Sequence, residues 1–334
     1  MSEHSEIVVE VRNLKKYFPL KVGFFKSLFS KTIPFVRAVD DVSFKVHKKE
    51  VFGLVGESGC GKTTTGRVCL KLIEPTAGRI FFKGQEITFL SSTEMRDLRR
   101  YMQIIFQDPY ESLNPRMSVY DIVSEPLRTL HLVDEEEKTE GMVQNVLERM
   151  GLIPAEQFMF RFPHELSGGQ RQRVAIARAL VTDPEFLVAD EPVSMLDASI
   201  RTEVSRLMLN LVKEEGISML YITHDIALAR YMCDKIAVMY LGEIVELGET
   251  EELINNPLHP YTKALMAAVP VPDPTLRRIK VVVKGEVPSP VNPPSGCRFH
   301  PRCSKARDIC RKEKPQLMEL EKGRFVACHF PEGK

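Results

Sequence analysis

The chain has 334 residues, 43% of them hydrophobic and 27% charged, with a net charge of only +1. This length and balance are those of a globular protein larger than one ordinary domain, so one large α/β unit with an appendage is expected. There is no global basic field to draw nucleic acid, no stretch approaches the ~18 apolar residues of a membrane span, and the N-terminus carries acids where a secretory leader needs bases. The chain is therefore expected to stay cytoplasmic.

Residues 7–18 alternate apolar and polar at first, which predicts an edge strand. Residues 19–36 interleave Lys21, Lys26 and Lys31 with Phe24, Phe25, Phe29 and Phe35. Such a stretch suits a membrane-facing loop or an insertion whose aromatics pack on the sheet, and the second is favoured because isolated aromatics find local cores. Residues 50–56 predict a short buried strand running into a glycine loop, with a helix from Lys62. Residues 79–88 predict a hairpin. From Ser92 to Leu180 the pattern is helical, with amphipathic segments at 121–130, 142–152 and 171–180. The apolar runs 186–189 and 219–223 predict buried parallel strands. After Asn256 the composition shifts to a proline-rich stretch at 270–296 and then to a cysteine cluster.

Gly56, Gly61, Lys62 and Thr63 fit the spacing of a phosphate-binding loop, with Ser58, Gly59, Cys60 and Thr64 completing the run. Glycines let successive N–H groups turn inward, Lys62 offers a charge to the β- and γ-phosphates, and Thr63 offers a hydroxyl to Mg²⁺. At the end of FLVADE, Asp190 suits Mg²⁺ and Glu191 suits deprotonation of an attacking water. Either carboxylate alone would read as a surface ion pair; the phosphate loop upstream reverses that reading. Ser167, Gly168, Gly169 and Gln170 form an S-x-x-Q capping box, and two glycines at a helix mouth also suit an anion. Gln107 could reach Mg²⁺ or the water, His224 follows a buried strand, and Tyr17 could stack on a flat base. Read alone, these last three are a turn residue, a structural histidine and a core aromatic.

Taken in order, these motifs resemble the nucleotide-binding subunits of ATP-binding cassette (ABC) transporters. The resemblance covers residues 7–255 and implies a phosphate-loop NTPase core of RecA type. An antiparallel β subdomain and an inserted helical subdomain at about 92–180 would belong to it, in a domain spanning 1–255. It makes LSGGQ (166–170) the signature, Glu191 the general base, Asp190 the acid that holds Mg²⁺, His224 the switch histidine and Tyr17 the adenine-stacking aromatic. Gln107 centres the glutamine loop, and Asp197 closes an inter-subunit contact loop, SMLD (194–197). Departures are mild: Cys60 stands where serine is common and Met195 where alanine is.

Residues 256–334 narrow the match. NPLHPYTKALMAAVP and GCRFHPRC resemble the ATPase subunits of dipeptide and oligopeptide importers, a branch that includes nickel and oligosaccharide systems. The 19–36 insertion resembles the second of the two ATPase subunits such importers use. The resemblance implies a paralogous ATPase partner, two membrane permeases, an extracytoplasmic substrate-binding protein and a peripheral place on the cytoplasmic membrane face. Two cassettes would face head to tail, each ATP between one P-loop and the other's LSGGQ.

Cys297, Cys303, Cys310 and Cys328 are separated by five, six and seventeen intervening residues, with no C-x-x-C pair. Four thiolates suit a [4Fe–4S] cluster or Zn²⁺. Some members of the resembling branch hold an iron–sulfur cluster here, so the cluster is the expectation and zinc the alternative. A soluble ABC ATPase acting on ribosomes or DNA is a competing function, but the single compact cassette argues against it. A redox-sensing module with degenerate motifs is argued against by Glu191, His224 and LSGGQ.

Overall fold

The computed structural model describes residues 6–20, 34–268 and 285–332. Most of the 19–36 insertion and much of the proline-rich 270–296 stretch lie outside the described residues. The chain divides into two compact units.

The first unit comprises Met1–Val9, Val46–Val51 and Phe82–Tyr221. Its strands Met102–Ile105 and Phe186–Asp190 pair in parallel, with Gln103 opposite Leu187 and Ile105 opposite Ala189. All five residues of Phe186–Asp190 are buried, as expected for a strand covered on both faces. Between the two strands the chain winds through five helices, of which Val119–Thr129 and Gly168–Leu180 pack together. Val119, Ile122, Val123 and Leu127 give the first of these a continuous buried stripe. Ser118 starts it by accepting the Asp121 N–H at 3.1 Å.

The second unit comprises Glu10–Lys45, Phe52–Phe81 and Ile222–Lys334, so it holds both the phosphate loop and the cysteine tail. Strand Val51–Val55 runs parallel to Lys235–Tyr240, which turns back antiparallel into Glu243–Glu249. The tail extends this sheet: Arg324–Val326 pairs antiparallel with Glu243–Glu249, and Met318–Glu321 pairs with Arg324–Val326. In the other sheet, Ile7–Pro19 lies between Phe35–His47 and Ala77–Phe82. It is therefore not an edge strand. Its alternation reflects one wet face, a property that interior strands of a half-covered sheet share with edge strands.

A buried ion pair fastens the tail. Arg324 and Glu246 are 1% and 0% exposed, with Nη2 to Oε1 at 3.1 Å. The carboxylate also accepts the N–H groups of Leu258 (2.9 Å) and His259 (2.8 Å), and the guanidinium donates to the Asn256 carbonyl. Both carboxylate oxygens and the Nη2 of the guanidinium are hydrogen-bonded here, so losing one member strands the other's charge in a dry site. Arg324→Ala should lower unfolding free energy by about 3–5 kcal/mol, measured as a shifted urea midpoint. Replacing both members, Glu246→Met with Arg324→Leu, should cost much less.

Candidate nucleotide-binding site

The phosphate loop begins where Val51–Val55, buried throughout, delivers the chain to Gly56. Gly61 has φ +109°, and a Cβ there would lie 2.0 Å from the Ala38 carbonyl oxygen. At Gly56 (φ +154°) a Cβ would lie 2.3 Å from the Met239 carbonyl. Only glycine fits either position, and the tight curl turns backbone N–H groups to one side. Helix Lys62–Cys69 follows with Gly61 at its N-cap and no capping side chain, so no cap competes with an anion at its N-terminus.

Lys62 is buried, and its Nζ donates to the carbonyls of Gly56 (2.8 Å) and Glu57 (3.0 Å). Cys60 Sγ lies 3.8 Å from the same ammonium, and burial raises its thiol pKa, keeping it neutral. Ser58 and Gly59 are exposed at the loop tip, while Thr63 and Thr64 are half-buried on the first helical turn. This uncapped cradle with a lysine held across it fits a polyphosphate. Tyr17 is half-buried and donates its hydroxyl to Asp40 Oδ1 at 2.5 Å. Burial, then the Asp40 carboxylate, push the phenol up to about 12. The Arg37 guanidinium sits 5.7 Å from its ring centroid. His224 is exposed just after strand Ser218–Thr223, and the next residue, Asp225, caps helix Ile226–Met232.

In the first unit, Asp190 ends its strand 2% exposed. Glu191 has φ +47°, a left-handed backbone rare for a non-glycine residue. The N–H and hydroxyl of Ser194 hold its carbonyl at 3.2 and 3.0 Å. Gln107 Nε2 donates to Glu191 Oε2 at 3.2 Å, which leaves the amide oxygen for another partner. The signature closes its capping box: Ser167 Oγ accepts the Gln170 N–H (3.3 Å), and Gln170 Oε1 accepts the Ser167 N–H (3.0 Å). A Cβ on Gly169 would lie 2.6 Å from Ile200 Cγ2, so this glycine lets helix Ala198–Glu215 approach closely. Asp197, at that helix's N-cap, is exposed and makes no capping bond, which leaves its carboxylate for a partner.

The structure thus brings Gln107, Asp190, Glu191, Ser167–Gln170 and Asp197 into one unit. Tyr17, Gly56–Thr64 and His224 lie in the other. Sequence reasoning missed Asp40, Glu57 and Tyr261: the Glu57 N–H donates to the Tyr261 hydroxyl at 3.0 Å across 204 residues of chain. No local pattern signals a partner at that distance.

The four tail cysteines line one cavity of about 20 Å³, with His259, His300 and His329 in its walls. Among the described residues no group of three or more His, Cys, Asp or Glu is arranged as a metal site. Burial pushes Cys297 up to about 12 and Cys328 up to about 11, and it raises Cys303, with neighbouring thiols adding to each. Burial alone lowers His259 to about 3, so it is neutral; its Nδ1 accepts the Tyr261 N–H at 3.0 Å.

The fold and loop define a phosphate-loop ATPase cassette. Residues 39–194 match the ABC transporter family, and residues 245–310 match the C-terminal region of oligopeptide/dipeptide transporters. The chain is 47% identical over 330 residues to the oligopeptide transport ATP-binding protein AppF of Bacillus subtilis, covering 98% of each chain. It superposes on the ATP-binding cassette MJ0796, solved as a dimer with ADP and Pi, with a TM-score of 0.63 at 27% identity, covering 72% of this chain and 98% of that one. Against cbiO1 of Clostridium perfringens, part of the transporter complex cbiONQ, the TM-score is 0.62 at 29% identity, covering 75% and 91%. The chain belongs to the ABC ATPases, in the oligopeptide/dipeptide transporter branch. No helix of the described residues is long and apolar enough to cross a membrane.

The raised thiols carry a pH test. A raised pKa leaves less thiolate at a given pH, so in chelator-treated, reduced protein Cys297 and Cys328 should alkylate at least about tenfold more slowly than free cysteine at pH 8. Their labelling should accelerate only above pH 10, read by mass spectrometry of iodoacetamide adducts.

Proposed function

We propose that this chain is the ATP-hydrolysing subunit of a di- or oligopeptide importer. The observation that carries the reading is the uncapped helix at Lys62 behind a glycine cradle, in a chain whose tail matches peptide-transporter ATPases. Gly56–Thr64 bind the phosphates, Lys62 spreads its charge over them, and Tyr17 stacks on adenine. Thr63, Gln107 and Asp190 serve Mg²⁺, which supplies charge neutralisation on the phosphates. Glu191 takes the proton of the attacking water, with its carboxylate oriented by the Gln107 amide. His224, exposed at a strand end, meets the γ-phosphate.

Ser167–Gln170 and Asp197 serve a second cassette. The helix after Ser167 offers the N–H groups of its two leading glycines, Gly168 and Gly169, to an anion, and in one chain the loop and the signature are halves of different sites. The partner is a paralogous ATPase, and ATP-driven closure of the pair moves the helical segment 92–180 against two permeases fed by an extracytoplasmic binding protein. The complex sits on the cytoplasmic membrane face, without nucleic acid. Permeases and a binding protein should co-purify with the chain from membranes; recovery only with ribosomes or DNA would overturn the importer reading. A partner set specific for nickel or oligosaccharides would change the cargo alone.

Cys297, Cys303, Cys310 and Cys328 hold a thiophilic metal group, a [4Fe–4S] cluster ahead of Zn²⁺. Four sulfurs around one small cavity, with histidines in its walls, fit such a group, which would supply positive charge to thiolates that burial otherwise disfavours. Anaerobically purified protein should be brown; colourless protein with stoichiometric zinc would reverse the order.

Glu191→Gln should still bind ATP and accumulate as a closed dimer with its partner, while hydrolysis falls by about 10²–10⁴. Turnover at the parental rate would remove Glu191 as the base.

A further inference from the structure

Two arginines of the turn between Cys297 and Cys303 reach the nucleotide machinery of their own unit. The turn is wound by Cys303 N–H to His300 carbonyl, Arg302 N–H to Phe299 carbonyl and His300 N–H to Cys297 carbonyl bonds. Residues 298 and 302 therefore sit about one turn apart. Arg302, 8% exposed, forks onto Glu57, with Nη1 to Oε2 at 2.8 Å and Nη2 to Oε1 at 3.1 Å. Its guanidinium also lies 5.7 Å from the Tyr240 ring centroid and 6.0 Å from that of Phe299. Glu57 is the second residue of the phosphate loop, and its own carbonyl accepts Lys62 Nζ at 3.0 Å. A single residue thus joins the tail's guanidinium to the phosphate-binding lysine.

Arg298, 6% exposed, donates to Asp40 and to the Leu241 carbonyl and pairs with Glu243 at 3.0 Å. Asp40 in turn accepts the Tyr17 hydroxyl. Burial alone would raise the Asp40 carboxyl, but the Tyr17 hydroxyl and the Arg298 charge outweigh it and hold it below its usual range. The carboxylate is thus ionised and fixed between the ring and the arginine.

We propose that Arg298 and Arg302 are positioning residues for the nucleotide. Arg302 sets the phosphate loop through Glu57, and Arg298 sets Tyr17 through Asp40. The two ends of the nucleotide are thereby gripped from one turn of the cysteine tail. A planar fork suits Arg302 in particular: lysine would keep the charge but lose the two-point hold on Glu57. The proposal rests on the reading that Gly56–Thr64 bind phosphates and Tyr17 stacks on adenine.

The two arms separate by ligand. Purified full-length protein is titrated with Mg²⁺–ATP and with inorganic tripolyphosphate, each displacing a fluorescent ATP analogue. Arg302→Ala should weaken both ligands about tenfold, the loss of one charge-assisted contact, and Arg302→Lys should fall between it and the parent. Arg298→Ala should weaken ATP by a similar factor and leave tripolyphosphate within about twofold, since only the adenine end is loosened. Glu57→Gln and Asp40→Asn, which cut the same links from the other side, should reproduce the split if an arginine variant folds poorly. Parental affinity in either arginine variant, or equal weakening of both ligands by both variants, overturns the proposal. Lys62→Ala run alongside tests the underlying reading: if it binds tripolyphosphate like the parent, the phosphate-loop assignment fails, and that outcome is distinct from failure of the arginines.

Discussion

A buried ammonium sets the terms for the whole phosphate loop. Lys62 is 5% exposed, and carbonyls of the loop itself receive its hydrogens. A charge in such a place is tolerable only with close, well-aimed acceptors. The carbonyls must curl toward it, so Gly56 and Gly61 must adopt backbones in which a Cβ would strike Met239 or Ala38. The same curl leaves the N-terminus of helix Lys62–Cys69 without a capping side chain. A ligand carrying phosphate can replace carbonyl dipoles with full negative charge, so the loop is organised for an occupant before one arrives.

The tail belongs to that organisation. Phe299 packs edge-on against Tyr240 at 5.3 Å between centroids, and Tyr261 lies 4.6 Å from Tyr240 and 5.4 Å from Phe299. Tyr240 ends the strand that pairs with Val51–Val55, so this aromatic group sits directly behind the loop. From it the Tyr261 hydroxyl accepts the Glu57 N–H and Arg302 takes the Glu57 carboxylate. Aromatic packing here gives the polar contacts a rigid base, which a flexible surface pair would lack. Arg324 and Glu246 hold the other end of the tail to the sheet, so the segment is fastened at two separate places.

Much of this was legible in order along the chain, because the motifs encode local backbone. The phosphate loop, the capping box at Ser167 and the buried strand before Asp190 each depend on a few consecutive residues. Periodicity and glycine spacing report such features directly. Pairings across the chain were not legible. Arg302 and Glu57 stand 245 residues apart, and Arg298 and Asp40 258 apart, so no window contains both members. The strand Ile7–Pro19 was misplaced at an edge for a related reason: alternation shows that one face is wet, yet neighbours on both sides come from residues 35–47 and 77–82. The four cysteines lay between these cases. Their clustering was visible, their common cavity was not, since spacings of five, six and seventeen do not fix a fold.

The cavity and the phosphate loop share one turn, and that constrains what the cysteines can be for. Cys297 N–H donates to the Cys310 carbonyl at 2.8 Å, so the start of the turn is tied to a second cysteine-bearing segment. Displacing Cys297 or Cys303 would move Arg298 and Arg302, since neither arginine has more than a few residues of chain to absorb the shift. The Arg324–Glu246 pair connects to the same loop by another route, since Glu246 accepts the His259 N–H, His259 accepts the Tyr261 N–H, and the Tyr261 hydroxyl accepts the Glu57 N–H. Any shift of this turn therefore reaches, through the two guanidiniums, both Glu57 of the phosphate loop and the Asp40 that holds the Tyr17 hydroxyl.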